Sequence, residues 1–247
     1  MDVAVCVKLV ADPAVPTLVV DGADRIGVEY ALRLAEQAGG GVVTAVSMGP
    51  SVGGVGLRGV LAMGVDRMVL VSDDALAGSD ALGTARVLAA AIVRLGVDLV
   101  VAGTESSDGY TGTMPVQLAE LLGLPSVTFA RRVGVADGRL VIERGREDGH
   151  DDIECPLPAL VTISGSGVSL VPRRPTFAGL LAGRAKPVER LGLADLGLDP
   201  ASVGRAGARQ AVVSAVPVVR RRAGTLVADT GDAERRIIEA LEGAGVA

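Results

Sequence analysis

Short, mostly apolar runs rich in β-branched residues alternate with longer stretches whose apolar residues recur every three or four positions, and this alternation limits the chain to few folds. The runs are Val3–Lys8, Val42–Val46, Arg67–Ser72 and Leu99–Ala102. Leu99, Val100, Val101 and Ala102 show no apolar–polar alternation, as in a strand covered on both faces of a parallel sheet. Between the runs, Ile26, Val28, Ala31, Leu32, Leu34 and Ala35 predict a helix over Arg25–Ala38, stopped at Gly39-Gly40-Gly41. A second helix is expected over Val52–Met63, weakened by Gly53, Gly54 and Gly56. A third begins with Ser79 as its N-cap and Asp80 in its first turn, and ends near Gly96. Steps of this kind impose crossover connections and a parallel sheet.

The stretch Asp98–Leu124 joins the fourth run to a polar loop and a further helix, in which Val116, Leu118, Ala119, Leu121 and Leu122 recur beyond Pro115. A loop at the carboxyl end of a parallel strand turns backbone N–H groups and the positive end of the next helix toward any bound anion. Here Thr104, Glu105, Ser106, Ser107, Asp108, Gly109, Tyr110, Thr111, Gly112 and Thr113 supply hydroxyls, amides and two glycines that let backbone approach a phosphate. Asp108 would repel a phosphate, so it is expected to cap the loop's own amides or meet a ribose hydroxyl. Neither G-x-G-x-x-G nor G-x-x-x-x-G-K-[ST] occurs, and many such loops bind nothing. The residues alone leave ligand binding open.

The 247 residues, 49% of them hydrophobic, can bury a large core. The mean hydropathy of +0.45 is high without any run long enough to span a membrane. The N-terminus opens on a strand rather than a signal peptide, so a cytoplasmic location is expected. A net charge of −5 with 2% aromatic residues argues against nucleic-acid binding. Cys6 and Cys155 have no C-x-x-C or Cys/His company, so neither a zinc site nor a disulfide framework is expected. His150, in what reads as an acidic loop with Asp148, Asp151 and Asp152, has no nucleophile beside it and is taken as solvated.

After Pro125 the rhythm changes. Val127–Phe129 is a short run, Val133–Arg144 reads as a hairpin around Asp137-Gly138, and Leu157–Ile163 returns as a buried strand. Residues 164–187 carry prolines, glycines and paired arginines without a clean period, which predicts a long exposed excursion. Phe177, Leu180 and Leu181 on it either dock a partner or fold back on the sheet. From Leu191 the chain is poor in core residues: an apolar arm spans Ala211–Val219, Arg220-Arg221-Arg222 is a cationic patch, and a last helix covers Asp232–Leu241. The whole predicts an α/β fold with a doubly wound, mostly parallel sheet, an added antiparallel hairpin and an extended C-terminal arm. It divides into a nucleotide-binding domain over 1–190 and an arm and helix over 191–247 that pack on another surface.

Taken together, VAVCVKLVADP, EYALRLAEQ, VTAVSMGP, LAMGVDRMVLVSDD and AGSDALGTARVLAAAI resemble the β subunit of electron transfer flavoprotein. So do GTESSDGYTGTMPVQLAELLGLPSVTF, LVIERGREDGHDDIECPLPALVTI and RRPTFAGLLAGRAKPVERLGLADLGLD. The shared order reaches about Pro200. The resemblance implies a Rossmann-like, adenine-nucleotide α-hydrolase-like domain and an electron carrier that is not itself an enzyme. It implies a heterodimer with an FAD-carrying α subunit and electron passage from acyl-CoA or other dehydrogenases, as in fatty acid β-oxidation, to a quinone oxidoreductase-type acceptor. It also implies AMP, or a second FAD, in the β pocket, with Cys6 against it, Met48 lining it and Thr104–Thr113 around its phosphate. Phe177 stands where the family anchors a leucine in a dehydrogenase. The chain departs from the family at Asp21-Gly22-Ala23-Asp24 (usually Asn-Pro-Phe-Asp), at Pro13 (often aromatic) and at Thr104-Glu105-Ser106 (commonly Lys-Gln-Ala). Phosphate affinity is then expected from amides and hydroxyls. The alternative from another class is a stand-alone adenine-nucleotide sensor or ATP-using enzyme of the same topology.

Overall fold

Alternate residues of the central strands feed two separate cores, and helices cover both. In the computed structural model, which describes all residues except 13, 16, 52, 53, 166, 168, 215, 217–230, 246 and 247, the chain forms two compact units, Met1–Ala211 and Val212–Ala247. The first unit holds a nine-stranded sheet among the described residues, in the order β11-β5-β4-β1-β6-β10-β7-β8-β9. Its strands are β1 (Val3–Cys6), β4 (Val43–Met48), β5 (Arg67–Val71), β6 (Leu99–Gly103), β7 (Ser126–Ala136), β8 (Arg139–Gly145), β9 (His150–Pro156), β10 (Ala159–Ile163) and β11 (Val188–Leu191). Pairing is parallel from β11 to β7, and antiparallel between β7, β8 and β9.

On one face, Val3, Val5, Leu99 and Val101 pack with Val28 and Leu32 of α1 (Gly22–Gln37) and with Leu57 and Leu61 of α2 (Gly54–Ala62). On the other, Ala4, Cys6, Val100 and Ala102 meet Leu88 and Ile92 of α3 (Ala81–Val93) and Leu118 of α4 (Met114–Leu122). The absence of alternation in the sequence of these strands has this cause: both faces are buried.

Several boundaries differ from the sequence expectation. α1 begins at Gly22, not Arg25, because the Asp21 carboxylate accepts from Ala23 N at 3.0 Å and caps it. α3 is capped by Asp80, which accepts from Gly83 N at 2.8 Å, while the Ser79 hydroxyl donates to Leu76 O. A two-stranded antiparallel piece, β2 (Leu9–Ala11) and β3 (Leu18–Val20), follows β1 in the chain and packs against α2, where a Cβ on Gly56 would stand 2.6 Å from Leu18 O. Val127–Phe129 is part of the eleven-residue β7, which passes through the two-residue turn Asp137-Gly138, both at positive φ, into β8. His150 lies on the exposed edge strand β9 rather than in a loop, paired in register with Gly145.

The segment 164–187 is not without regular structure. It contains α5 (Phe177–Ala185), N-capped by Thr176, and runs into β11. α5 lies so close on α2 that a Cβ at Gly179 would sit 2.6 Å from Ala62 O, and one at Gly183 would sit 2.8 Å from Ala62 N. Arg58 Nη1 donates to the carbonyls of Gly183, Arg184 and Lys186, and Lys186 Nζ donates to Val65 O. Beyond β11 come two short helices, α6 (Leu193–Leu196) and α7 (Gly204–Gly207). In the second unit, α8 (Ala233–Gly243) matches the expected final helix; the Arg220-Arg221-Arg222 patch and residues 215 and 217–219 of the expected arm lie outside the described residues, and the arm's residues 211–214 and 216 form no strand.

Gly183→Val should lower stability by about 2 kcal/mol, since backbone must move to admit the side chain. Gly59→Ala, on the exposed face of α2 with nothing within 4 Å of the new methyl, should raise it by about 1 kcal/mol. Equilibrium denaturation of the two variants checks both signs, and a harmless Gly183→Val would refute the close crossing.

Candidate functional site

The sheet order places a reversal of chain direction at its centre. From β1 the chain crosses through α1 to β4 and β5 on one side; from β5 it returns through α3 to β6 on the other side of β1. The loops leaving β1 and β6 therefore separate above their carboxyl ends, the place where open α/β sheets form a ligand crevice. The polar stretch Thr104–Thr113 stands there.

Its parts face different ways. Thr104 is buried: its amide donates to Ile163 O, and its hydroxyl lies 2.9 Å from that of Thr162 and donates to Ile163 O, so it joins β6 to β10. Ser107 gives both its amide and its hydroxyl to Asp21 Oδ2, at 2.8 and 2.6 Å. Ser106 Oγ and Asp108 Oδ1 both receive Lys8 Nζ, at 3.1 and 2.5 Å. Asp108 is thus answered by a cation outside the loop's own sequence. Burial works against its charge, but the Lys8 and Ser106 hydrogen bonds win and hold its carboxyl below the usual range. Glu105, Gly109 and Thr111 are exposed, Tyr110 is exposed with φ 45, and Gly112 at φ +61 has open space around it.

The loop ends on α4. Asp21, Asp80 and Thr176 each cap a helix with a side chain, whereas Thr113 makes no side-chain cap for α4. Pro115 in the first turn has no N–H to satisfy. The start of α4 therefore keeps amides and positive dipole available to an external acceptor. Together with the hydroxyls and Gly112, this donor set fits a phosphate group.

Beneath the loop sits Asp24, 7% exposed, whose Oδ2 accepts from Lys8 N at 2.6 Å. A Cβ on Gly103 would lie 2.6 Å from Asp24 Oδ1, so only glycine lets β6 end against this carboxyl. Burial pushes the Asp24 carboxyl up to about 7; the Lys8 amide pulls the other way and the nearby Asp21 charge adds to the rise. Cys6 is buried on the α3/α4 face, its thiol pushed up to about 12 by burial and then by Asp24. Met48 packs at the rim of that same face, as does Met114.

The apolar residues singled out on the excursion stand together on α5: Phe177 is 78% exposed, Leu180 47% and Leu181 52%. Their base is fastened to α1 by hydrogen bonds. Arg173 donates from its amide, Nε and Nη2 to the carboxylate of Glu29, which is buried on α1, and from Nη1 to Glu36. Burial disfavours the Glu29 charge, but the hydrogen bonds from Arg173 and Arg33 hold its carboxyl below the usual range.

Sequence reasoning did not pick out Lys8, Asp21, Asp24, Glu29 or Arg173. For the first three a signal existed: an acidic pair three residues apart at a helix start, and a lone lysine ending a strand. Nothing local marks the Glu29–Arg173 pair. Among the described residues no cluster of three or more metal-ligating side chains occurs, and no helix is long and apolar enough to cross a membrane.

A family model described as the electron transfer flavoprotein domain matches residues 15–196. The electron transfer flavoprotein subunit beta of Mycobacterium tuberculosis is 35% identical over 228 residues, covering 90% of this chain and 85% of that protein. That of Thermoanaerobacterium thermosaccharolyticum is 36% identical over 239 residues, 93% and 91% of the two chains. The caffeyl-CoA reductase-Etf complex subunit CarD of Acetobacterium woodii is 32% identical over 219 residues, 83% of each.

Asp24 sets a pH dependence. Its raised value means that the folded state prefers the protonated acid, so its contribution is complete below the ordinary value of 3.8 and is lost as pH rises through about 7. The thermal midpoint should fall over that window, and Asp24→Asn should flatten the fall. Identical slopes for the variant and the parent would contradict the assignment.

Proposed function

The chain belongs to the electron transfer flavoprotein family, an electron carrier rather than an enzyme, and from that premise we propose that it is the β subunit of a heterodimer holding FAD with a larger α subunit. In this reading its own pocket, above β1 and β6, holds AMP or a second FAD. The observation that carries it is the loop Thr104–Thr113 at the reversal of the sheet, running into an α4 start without a side-chain cap. Amides of the first turn, the Ser106 and Thr111 hydroxyls and the backbone at Gly112 would hold the phosphate, with Met48 and Cys6 lining the adjacent face. Flavin, when bound, supplies the reversible uptake of electrons. This chain binds, orients and excludes water.

Docking falls to α5. Clamped by Arg58 on one side and by the Glu29–Arg173 pair on the other, it presents Phe177, Leu180 and Leu181 already ordered, so little entropy is lost when a dehydrogenase covers them. A relative that belongs to a caffeyl-CoA reductase complex favours partners acting on CoA thioesters, and the donor in this reading is an acyl-CoA or other dehydrogenase, as in fatty acid β-oxidation. The acceptor is a quinone oxidoreductase-type partner, and the setting is the cytoplasm. Of residues 191–247, the stretch up to Ala211 packs into the first unit through Leu191, Leu193 and Val203, so the arm toward the α subunit is the second unit, in which Ile237, Ile238 and Leu241 of α8 are exposed while Arg235 pairs with Glu239.

Co-expression with a larger flavin-binding chain should yield a yellow heterodimer, and denaturation should release either one FAD and one AMP or two FADs per dimer. A colourless homodimer that hydrolyses ATP would replace the reading with that of a nucleotide-using enzyme. Phe177→Ala should reduce electron transfer from a dehydrogenase about tenfold, given the usual loss on truncating an anchor, without loosening the heterodimer. Transfer at the parent rate would remove Phe177 from the docking surface.

A further inference from the structure

Lys8, two residues beyond the end of β1, has its backbone and its side chain engaged separately. The backbone is fixed: Lys8 N donates to Asp24 Oδ2 at 2.6 Å, and Lys8 O accepts from Asp21 N at 3.0 Å. The side chain, 45% exposed, reaches across the crevice to a loop about a hundred residues further along the chain, where its ammonium meets Ser106 Oγ and Asp108 Oδ1. Asp108 is 48% exposed. We propose that Lys8 is the phosphate-binding cation of the nucleotide site, and that Asp108 is a stand-in anion that a nucleotide phosphate displaces from the Lys8 ammonium. This rests on the nucleotide reading above and adds to it a charge that the loop itself does not contain.

Three features favour displacement over a permanent ion pair. The pair is half-exposed, and solvent-screened pairs of that kind contribute little to stability, so opening it costs little. A phosphate monoester brings close to two negative charges where a carboxylate brings one, and each charge-assisted bond to it is the stronger kind. The approach is also clear: a Cβ on Gly109 would stand 3.2 Å from Ser106 Oγ and 3.7 Å from Lys8 Nζ, so its absence leaves the ammonium accessible beside the loop.

The acids around the crevice are unequal in freedom. Asp21 is held by Ser107 N, Ser107 Oγ and Ala23 N, and Asp24 is buried under Lys8 N. Asp108 lies on the exposed loop and can turn to water once the phosphate has replaced it. An Asp108 that gripped a ribose hydroxyl would behave in the opposite way when neutralised, and the sign of one substitution separates the two.

The test is equilibrium dialysis of the full-length chain against AMP and against adenosine, at two salt concentrations, with circular dichroism as the check on folding. Lys8→Gln should weaken AMP binding about 10-fold to 100-fold, the loss expected for a charged hydrogen bond, and leave adenosine binding within about twofold. Lys8→Arg should keep most of the AMP affinity. Asp108→Asn should tighten AMP binding several-fold, and the salt dependence of the parent should be steeper than that of Lys8→Gln. Asp108→Asn binding AMP no more tightly than the parent, or Lys8→Gln binding it equally well, overturns the assignment while leaving the nucleotide reading intact. A parent chain that binds neither AMP nor adenosine overturns both.

Discussion

Everything at the centre of this molecule hangs on the first turn of α1. Asp21 and Asp24 are three residues apart, so both carboxylates sit at the start of one helix, and each reaches a different neighbour. Asp21 caps its own helix and ties down Ser107, while Asp24 holds the end of β1 through Lys8 N and lies against Gly103 at the end of β6. Two loops that the sheet order would let drift apart are thus fastened to one point. The arrangement has a cost, since a buried carboxyl accepts amides best when charged and is desolvated when charged.

The same logic of anchoring governs the opposite edge. α5 could not lie on α2 with side chains at Gly179 and Gly183, and the segment leading into it could not run along α1 without a partner for the buried Glu29. Glycine gives closeness; the Arg173 fork gives direction. The apolar residues of α5 face outward because its small residues take the inward positions. An exposed apolar helix fastened in this way would lose less entropy on being covered than a loose loop, which would have to be ordered on contact.

Charge is handled by pairing rather than by number. The chain is acidic overall, and the crevice gathers Asp21, Asp24 and Asp108 beside a loop suited to an anion. Each acid is answered by amides, by hydroxyls or by Lys8, so the field at the start of α4 is set by the helix dipole and by which of these pairs can open.

Much of the fold was legible in the residues themselves. Doubly buried strands and one-sided helices write their burial directly into apolar periodicity, so β1, β4, β5, β6 and the helices between them could be read, as could the turn at Asp137-Gly138, whose positive φ values call for just such residues. Short or irregular pieces escaped: β2 and β3 are too brief to show a period, β9 pairs at an edge with polar residues on view, and α5 hides behind glycines that count against a helix when read alone. The loop Thr104–Thr113 could be named from composition, but not the spending of Thr104 inside the sheet, nor Lys8 and Asp21 reaching it from far away in the chain. Local sequence determined which segments would be strands, helices and a polar loop, because propensity and burial pattern act over a few residues. Only the tertiary structure decided which charges meet and which surfaces stay open, because those depend on contacts between residues that no spacing along the chain relates.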